Sequence, residues 1–359
     1  MKNKLSVWVG VVAAFIWFAV NNAGAWDYEA HSAINQLALA SLPGNFPAFA
    51  LTPAARGRIA FLAGEPDRWR NTPELELAHV NGPDHYMDIE QLADYGLAPE
   101  NLPPFRYDFA ARLALARAAH PEKFEPVDPE RNKDHTRELV GFLPWAITEY
   151  YAKLKSEFSY LKTFQEYGGT PQEVANAQAN VVYTMGVMGH FVGDGSQPLH
   201  TTKHHHGWVG DNPLGYTTNL SFHSWIDGGY FRKIGGVNTE TLVGKIQPAG
   251  RVGNPAPPGS FINATVAYLV AQNKLVEPLY QLEKQHSLSP HDNEIDPQGR
   301  AFMEGQIIKG AQMLGDIWFS AWQDATADKY LKNELEKRTK TKEPGQPPAL
   351  QGAKKSKKK

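Results

Sequence analysis

The sequence predicts an all-α protein, and three observations carry that expectation. Long stretches run at helical rather than strand spacing. Long alternating β-branched runs between turn signals are missing. Proline and glycine fall where helices start and stop. Taken along the chain, Pro53 to Leu62 and Phe109 to Ala118 are short helical patterns. Arg137 to Phe164 is amphipathic, with Pro144 expected to kink or break it. Gln172 to Gly193 is uninterrupted, opened by Pro171 and closed near Gly193 and Gly195. Phe261 to Leu282 and Gln298 to Tyr330 complete the set. The stretches around 200–218 and 245–260 are rich in Gly, Pro and His and read as irregular.

The chain has 359 residues, of which 42% are hydrophobic, enough to bury a sizeable core and to exclude a disordered chain. There is no cysteine, so disulfides, thiolate nucleophiles and Cys-type zinc sites are excluded. Any metal must be held by His, Asp, Glu and backbone, and thirteen His are present to do it. The net charge of −2 hides an asymmetry. Nine Lys/Arg against Glu343 give residues 337–359 a charge of +8, and Lys2 with Lys4 adds +2, which leaves −12 on residues 26–336. An acidic body does not suit a protein that wraps duplex DNA with a basic face, but it suits one that gathers carboxylates around divalent cations.

Residues 1–25 read as a secretory signal: a charged start, an apolar run from Leu5 to Val20 shorter than the ~20 residues of a membrane span, and Ala23-Gly24-Ala25 as the cleavage pattern. Cleavage would leave Trp26 as the first mature residue of a secreted or periplasmic protein. Composition is even from 26 to 336, which reads as one domain. Residues 337–359 read as a basic, disordered tail.

Chemistry concentrates in residues 190–227. His190, Asp194 and His200 are spaced H-x3-D-x5-H, and His223 with Asp227 repeats the i, i+4 pair. Positions i and i+4 share one helix face, so each His–Asp pair can reach one ion. Pro198 is expected to break the helix and return His200 to the same cavity. Imidazole and carboxylate are the ligands zinc takes when no thiolate is available. Upstream, His31 follows Trp26 by five residues. Asp67 lies in Gly64-Glu65-Pro66-Asp67-Arg68-Trp69-Arg70, read as a helix end, and His85 opens His85-Tyr86-Met87-Asp88.

In this order the residues resemble the zinc-dependent phospholipase C / S1/P1 nuclease superfamily. Gly193-Asp194 followed by Gln197-Pro198-Leu199-His200 is similar to a G-D-x-x-Q-P-L-H segment of the nucleases. The resemblance spans residues 26–227 and implies a helical domain with a three-zinc cleft. It implies one zinc on Asp67, His85, His190 and Asp194. A second would sit on the α-amino group and carbonyl of Trp26, with His31 and the shared Asp194. A third would sit on His200, His223 and Asp227. It further implies that the ions sharing Asp194 bring the pKa of a bound water from ~15.7 towards ~7, making a hydroxide for in-line attack on phosphorus, while the third ion stabilises the leaving oxygen. Asp67 and Asp194 would serve that chemistry, and Arg70 would contact the phosphate.

Two spacings favour the nuclease branch: the five-residue step from Trp26 to His31, and Asp rather than Glu at 227. The segment Tyr86-Met87-Asp88 resembles the nuclease base pocket, in which Tyr86 would stack a base and Asp88 would accept hydrogen bonds from its edge. The nuclease resemblance implies single-stranded nucleic acid as substrate and 5′-phosphorylated products, and a monomer is expected. Other features point to phospholipase C. Glu29 falls where the phospholipases place a glutamate for the choline cation, and Trp208 with Trp225 could wall a base or a quaternary ammonium. A third alternative is a secreted zinc-binding protein without turnover. The loop Thr201-Thr202-Lys203-His204-His205-His206-Gly207-Trp208 fits neither branch and reads as solvated lining of the cleft.

Overall fold

The computed structural model describes residues 26–253, 259–290 and 294–341. The expected signal, 1–25, and residues 342–359 of the expected tail lie outside the described residues. Those described are helical, with no strand among them. The helices are α1 (Tyr28–Ser41), α2 (Pro53–Leu62), α3 (Glu65–Arg70), α4 (Leu75–Asn81), α5 (Arg106–Ala119), α6 (Leu143–Glu166) and α7 (Pro171–Ser196). They continue with the short α8 (Phe222–Ser224), α9 (Tyr230–Lys233) and α10 (Thr239–Leu242), then α11 (Phe261–Asn273), α12 (Val276–Lys284), α13 (Pro297–Asp324) and α14 (Lys329–Thr341).

Four sequence-based boundaries move. Pro144 does not kink a helix begun at Arg137; it sits in the first turn of α6, where its missing N–H costs nothing. The 261–282 pattern is two helices, α11 and α12, broken between Asn273 and Val276. The 298–330 pattern likewise stops at Asp324, and α14 begins at Lys329 and runs through Lys337 to Thr341, past the point where the sequence placed the start of the tail. Asp67 does not end the preceding helix. Gly64 separates α2 from α3, and Asp67 lies in the first turn of the new helix.

α7 is the central element, packed by α1, α2, α6 and α13. Thr170 starts it with a reciprocal cap: its hydroxyl accepts from Glu173 N–H at 3.2 Å and Glu173 accepts the Thr170 N–H at 2.8 Å. Its first half has one buried face. From Thr184 to Ser196 every residue is buried, so this half is the spine of the core and must be small where neighbours cross. A Cβ on Gly189 would lie 1.7 Å from Asn35 Oδ1, and one on Gly193 would lie 2.7 Å from His31 Nδ1. Those glycines let α1 lie against α7 closely enough for Asn35 to donate to the Ile59 and Gly186 carbonyls, at 2.8 and 2.9 Å. The same approach brings His31 to the α7 ligands.

Candidate metal centre

The first link in the site is the i, i+4 pair of α7. His190 Nε2 lies 3.4 Å from Asp194 Oδ2, and both residues are fully buried. His190 Nδ1–H donates to the Ala63 carbonyl at 2.7 Å, which commits that nitrogen and turns the Nε2 lone pair inward. From α1, His31 stacks on His190 with centroids 3.8 Å apart and sets its Nε2 3.3 Å from Asp194 Oδ1. A 3₁₀ turn, Gly82–His85, delivers His85 Nδ1 to 2.9 Å from Asp194 Oδ2 and 3.0 Å from His190 Nε2. From α3, Asp67 Oδ1 stands 3.7 Å from His190 Nε2.

Beyond α7 the chain turns at Gln197 into a second 3₁₀ turn, Pro198–Thr201. His200 Nδ1–H donates to the His85 carbonyl at 2.6 Å, so its Nε2 faces His223 Nε2 at 3.1 Å. His223 and Asp227 sit on α8 and the π-helical turn Trp225–Gly229 that continues it, with Nε2 to Oδ2 at 3.1 Å. Such turns frequently mark functional sites.

Three groups of potential ligands result: His31, His190 and Asp194; Asp67, His85 and His190; and His200, His223 and Asp227. Within each, ligand atoms lie within 4.8 Å of one another. A four-coordinate cation with bonds of about 2.0–2.1 Å has ligand–ligand edges of about 3.3 Å, close to the separations found here. Both ring nitrogens of His31, and Asp194 Oδ1 and Asp227 Oδ2, are buried without a hydrogen-bond partner, while Asp67 Oδ1 has the Arg70 ion pair. Buried polar atoms are nearly always satisfied, so unpartnered lone pairs converging at these separations fit metal ions. Burial pushes Asp194 up to about 8 and Asp227 well up. It drives His31 and His190 down to about 4, and His85, His200 and His223 well down. Burial also raises Asp67, but His190 and Arg70 outweigh it and leave that carboxyl below its ordinary value. Neutral imidazoles are the form that ligates cations, and a cation entering would draw both carboxyls, Asp194 and Asp227, back towards their ionised form.

The third group opens into a cavity of about 490 Å³ whose walls include Arg70, Tyr86, Asp88, Arg137, His205 and His206. Arg70 Nε lies 2.8 Å from Asp67 Oδ1, and its Nη2 is buried without a partner. Asp88 is buried with Oδ1 unpartnered, and burial together with the nearby Glu90 carboxylate pushes it up to about 8. At neutral pH it is therefore mainly a neutral acid that can donate a hydrogen bond, where the sequence had suggested only an acceptor.

Trp26 is fully buried. Its indole N–H donates to Ser196 Oγ at 3.2 Å, and the next N–H, of Asp27, donates to the Asp227 carbonyl at 3.1 Å. The segment is thus pinned to the two stretches that carry Asp194 and Asp227. Several other expectations change. Glu29 is exposed, and its Oε1 accepts the Val237 N–H at 2.9 Å. Trp208 stacks on His204 at 3.9 Å and donates to the Asp211 carbonyl, while Trp225 lines a different cavity, so the two do not form one wall. His205 and His206 do line the cleft, and His204 is buried behind them. Sequence reasoning passed over Gln197 as a functional residue. Its Nε2 donates to Asp227 Oδ1 at 2.7 Å, leaving Oδ2 for His223's side, and its Oε1 accepts the Leu199 N–H at 2.6 Å. The signal was its place between Asp194 and His200. No protein-family model matches this chain, and no curated protein matches it.

Proposed function

We propose that the protein is a zinc-dependent phosphodiesterase of the phospholipase C/P1 nuclease type, acting on single-stranded nucleic acid. The observation that carries this reading is the convergence of three His/Asp groups beside a cavity holding an arginine, an aromatic ring and a neutral buried acid. The imidazole and carboxylate donor set, with no thiolate, suits zinc. Asp67, His85, His190 and Asp194 would hold one ion. His31 and Asp194, with the amino group and carbonyl of Trp26, would hold the second, and His200, His223 and Asp227 the third. Bound there, zinc supplies Lewis acidity and a water acidic enough to be a nucleophile at neutral pH.

The chain's own residues do the rest. Asp67 orients Arg70 through Nε, and the free Nη2–H would donate to a non-bridging phosphate oxygen. Tyr86, whose hydroxyl is tied to the Leu139 carbonyl, offers a fixed ring to a base, and Asp88 offers a proton to the base edge. Gln197 holds Asp227 in register. Against the choline-directed alternative, Glu29 is exposed and lines neither cavity, and its Oε1 accepts the Val237 N–H.

The test is release of acid-soluble nucleotides from single-stranded DNA by mature, zinc-loaded protein beginning at Trp26. Chelator-sensitive release is expected, with 5′-phosphorylated ends. Three retained zincs with no release, but turnover of phosphatidylcholine, would replace this reading by a phospholipase C. Retained zinc with no turnover of either would leave a binding protein.

A further inference from the structure

A second and larger cavity, about 980 Å³, reaches the same clusters from another side, where Asp67 and Asp227 form part of its wall. Asn71 lines both cavities, so they meet beside Arg70. This volume is at the upper end of small-molecule sites. Tyr28, Phe222 and Trp225 are its aromatic residues, and Tyr28 and Trp225 each rest on a glycine. A Cβ on Gly64 would lie 2.6 Å from Tyr28 Cδ2, and a Cβ on Gly229 would lie 2.4 Å from Trp225 Cε3. The Trp225 indole N–H is anchored on the Leu288 carbonyl at 2.6 Å. Tyr28 remains 50% exposed and Leu220, on the rim, 78% exposed, so apolar surface faces the opening. Between them stand Asn71, Asn219, Ser221 and Ser224, which offer amide and hydroxyl groups.

A phosphate bearing one organic group needs one cavity beside the metal centre; a diester between two bulky groups needs two. We infer that the Tyr28–Trp225 cavity is a second nucleoside subsite, taking the nucleoside on the far side of the phosphorus from the one at Tyr86. This rests on the nuclease reading above and adds that the preferred substrate spans the phosphate. Aromatic faces interleaved with amide, hydroxyl and charged groups, among them Arg68, Arg232 and Glu283, suit a base and sugar, whereas an acyl chain would favour a continuous apolar wall. Neither Tyr28 nor Leu220 belongs to the metal clusters, and both are exposed enough to be changed without opening the core.

The probe is a thymidine dinucleoside phosphorothioate, bound to zinc-loaded wild type, Tyr28→Ala and Leu220→Ala, with inorganic phosphate as reference and metal content measured throughout. Tyr28→Ala should weaken the dinucleoside roughly fivefold to a hundredfold, the range for losing one stacked base, with phosphate affinity and zinc content unchanged. Leu220→Ala should weaken it less, in the same direction. Unchanged dinucleoside affinity in both variants, while single-stranded DNA is still cut, would overturn the subsite and leave the nuclease reading intact. A wild type that neither cuts DNA nor binds the dinucleoside more tightly than phosphate would overturn both. A short-chain phosphatidylcholine whose binding Tyr28→Ala abolishes would assign the cavity to lipid.

Discussion

At Asp88 a single carboxyl joins burial, titration and recognition. Its Oδ1 has no partner, and the nearest imidazole, His205 Nδ1, is 3.8 Å away and already donates to the Thr202 carbonyl. Burial and Glu90 raise the carboxyl from 3.8 to about 8, and Lys203 offsets this only in part. The folded protein therefore holds this proton more tightly than the unfolded chain does. The stability it contributes is full below about pH 4 and is lost as pH rises through 8. Between pH 6 and 9 the melting temperature of the wild type should fall further than that of Asp88→Asn, by on the order of 5 °C. Parallel melting curves for the two proteins over that range would contradict the assignment. Gln197 shows the complementary economy: one amide fixes both a ligand and the turn that returns His200.

Among the elements, α7 decides whether the site exists. Its His190–Asp194 pair is local, but both groups converging on those two residues need α1 or the 82–85 turn to arrive within ligand distance. α1 can do so only because Gly193 has no side chain against His31. Gly193→Ala places a Cβ 2.7 Å from His31 Nδ1 in a region with no exposed face to yield. The expected cost is about 1–3 kcal/mol by urea denaturation, with weaker affinity for the ion shared by His31 and Asp194. The His200 group should be affected less, because its tie to the start of α1 is the Asp27 N–H on the Asp227 carbonyl rather than the Gly193 crossing. A metal titration showing the His200 ion lost first would refute this order.

Over the whole molecule, three His/Asp clusters that could hold cations would tie folding stability to cation binding. Converging lone pairs and carboxyls held away from their usual ionisation are tolerated most readily when a cation satisfies them. Each ion present at a hundred times its dissociation constant adds about 2.7 kcal/mol to folding stability, so three would add on the order of 8 kcal/mol. Exhaustive chelation should lower the melting temperature by more than about 10 °C, reversibly on return of zinc. Asp194→Asn should reproduce most of that loss and hold two ions fewer, whereas His223→Ala should cost one ion and a smaller shift. A melting temperature indifferent to chelator would show that the clusters do not bind metal tightly. The Trp26 segment belongs to this scale too, since its indole and the Asp27 N–H tie the start of the described chain to both halves of the centre.

The helical class, the extent of α2 and α7, and the paired ligands His190–Asp194 and His223–Asp227 were legible because they depend on local periodicity, which the sequence states directly. The return of His200 after Pro198 was legible for the same reason. Boundaries at 137–143, 273–276 and 324–329 were not: Pro144 suits a helix's first turn as well as a kink, and apolar spacing continues across the other two breaks. Family resemblance, rather than any spacing, suggested that His31, Asp67 and His85 join the α7 pair; they lie on separate elements, and the crossing of α1, α3 and the 82–85 turn over α7 brings them there. The protonated state of Asp88, the surface role of Glu29, the separation of Trp208 from Trp225 and the second cavity were decided by tertiary structure alone. Each depends on which groups are removed from water together, a property of the folded solid rather than of neighbours along the chain.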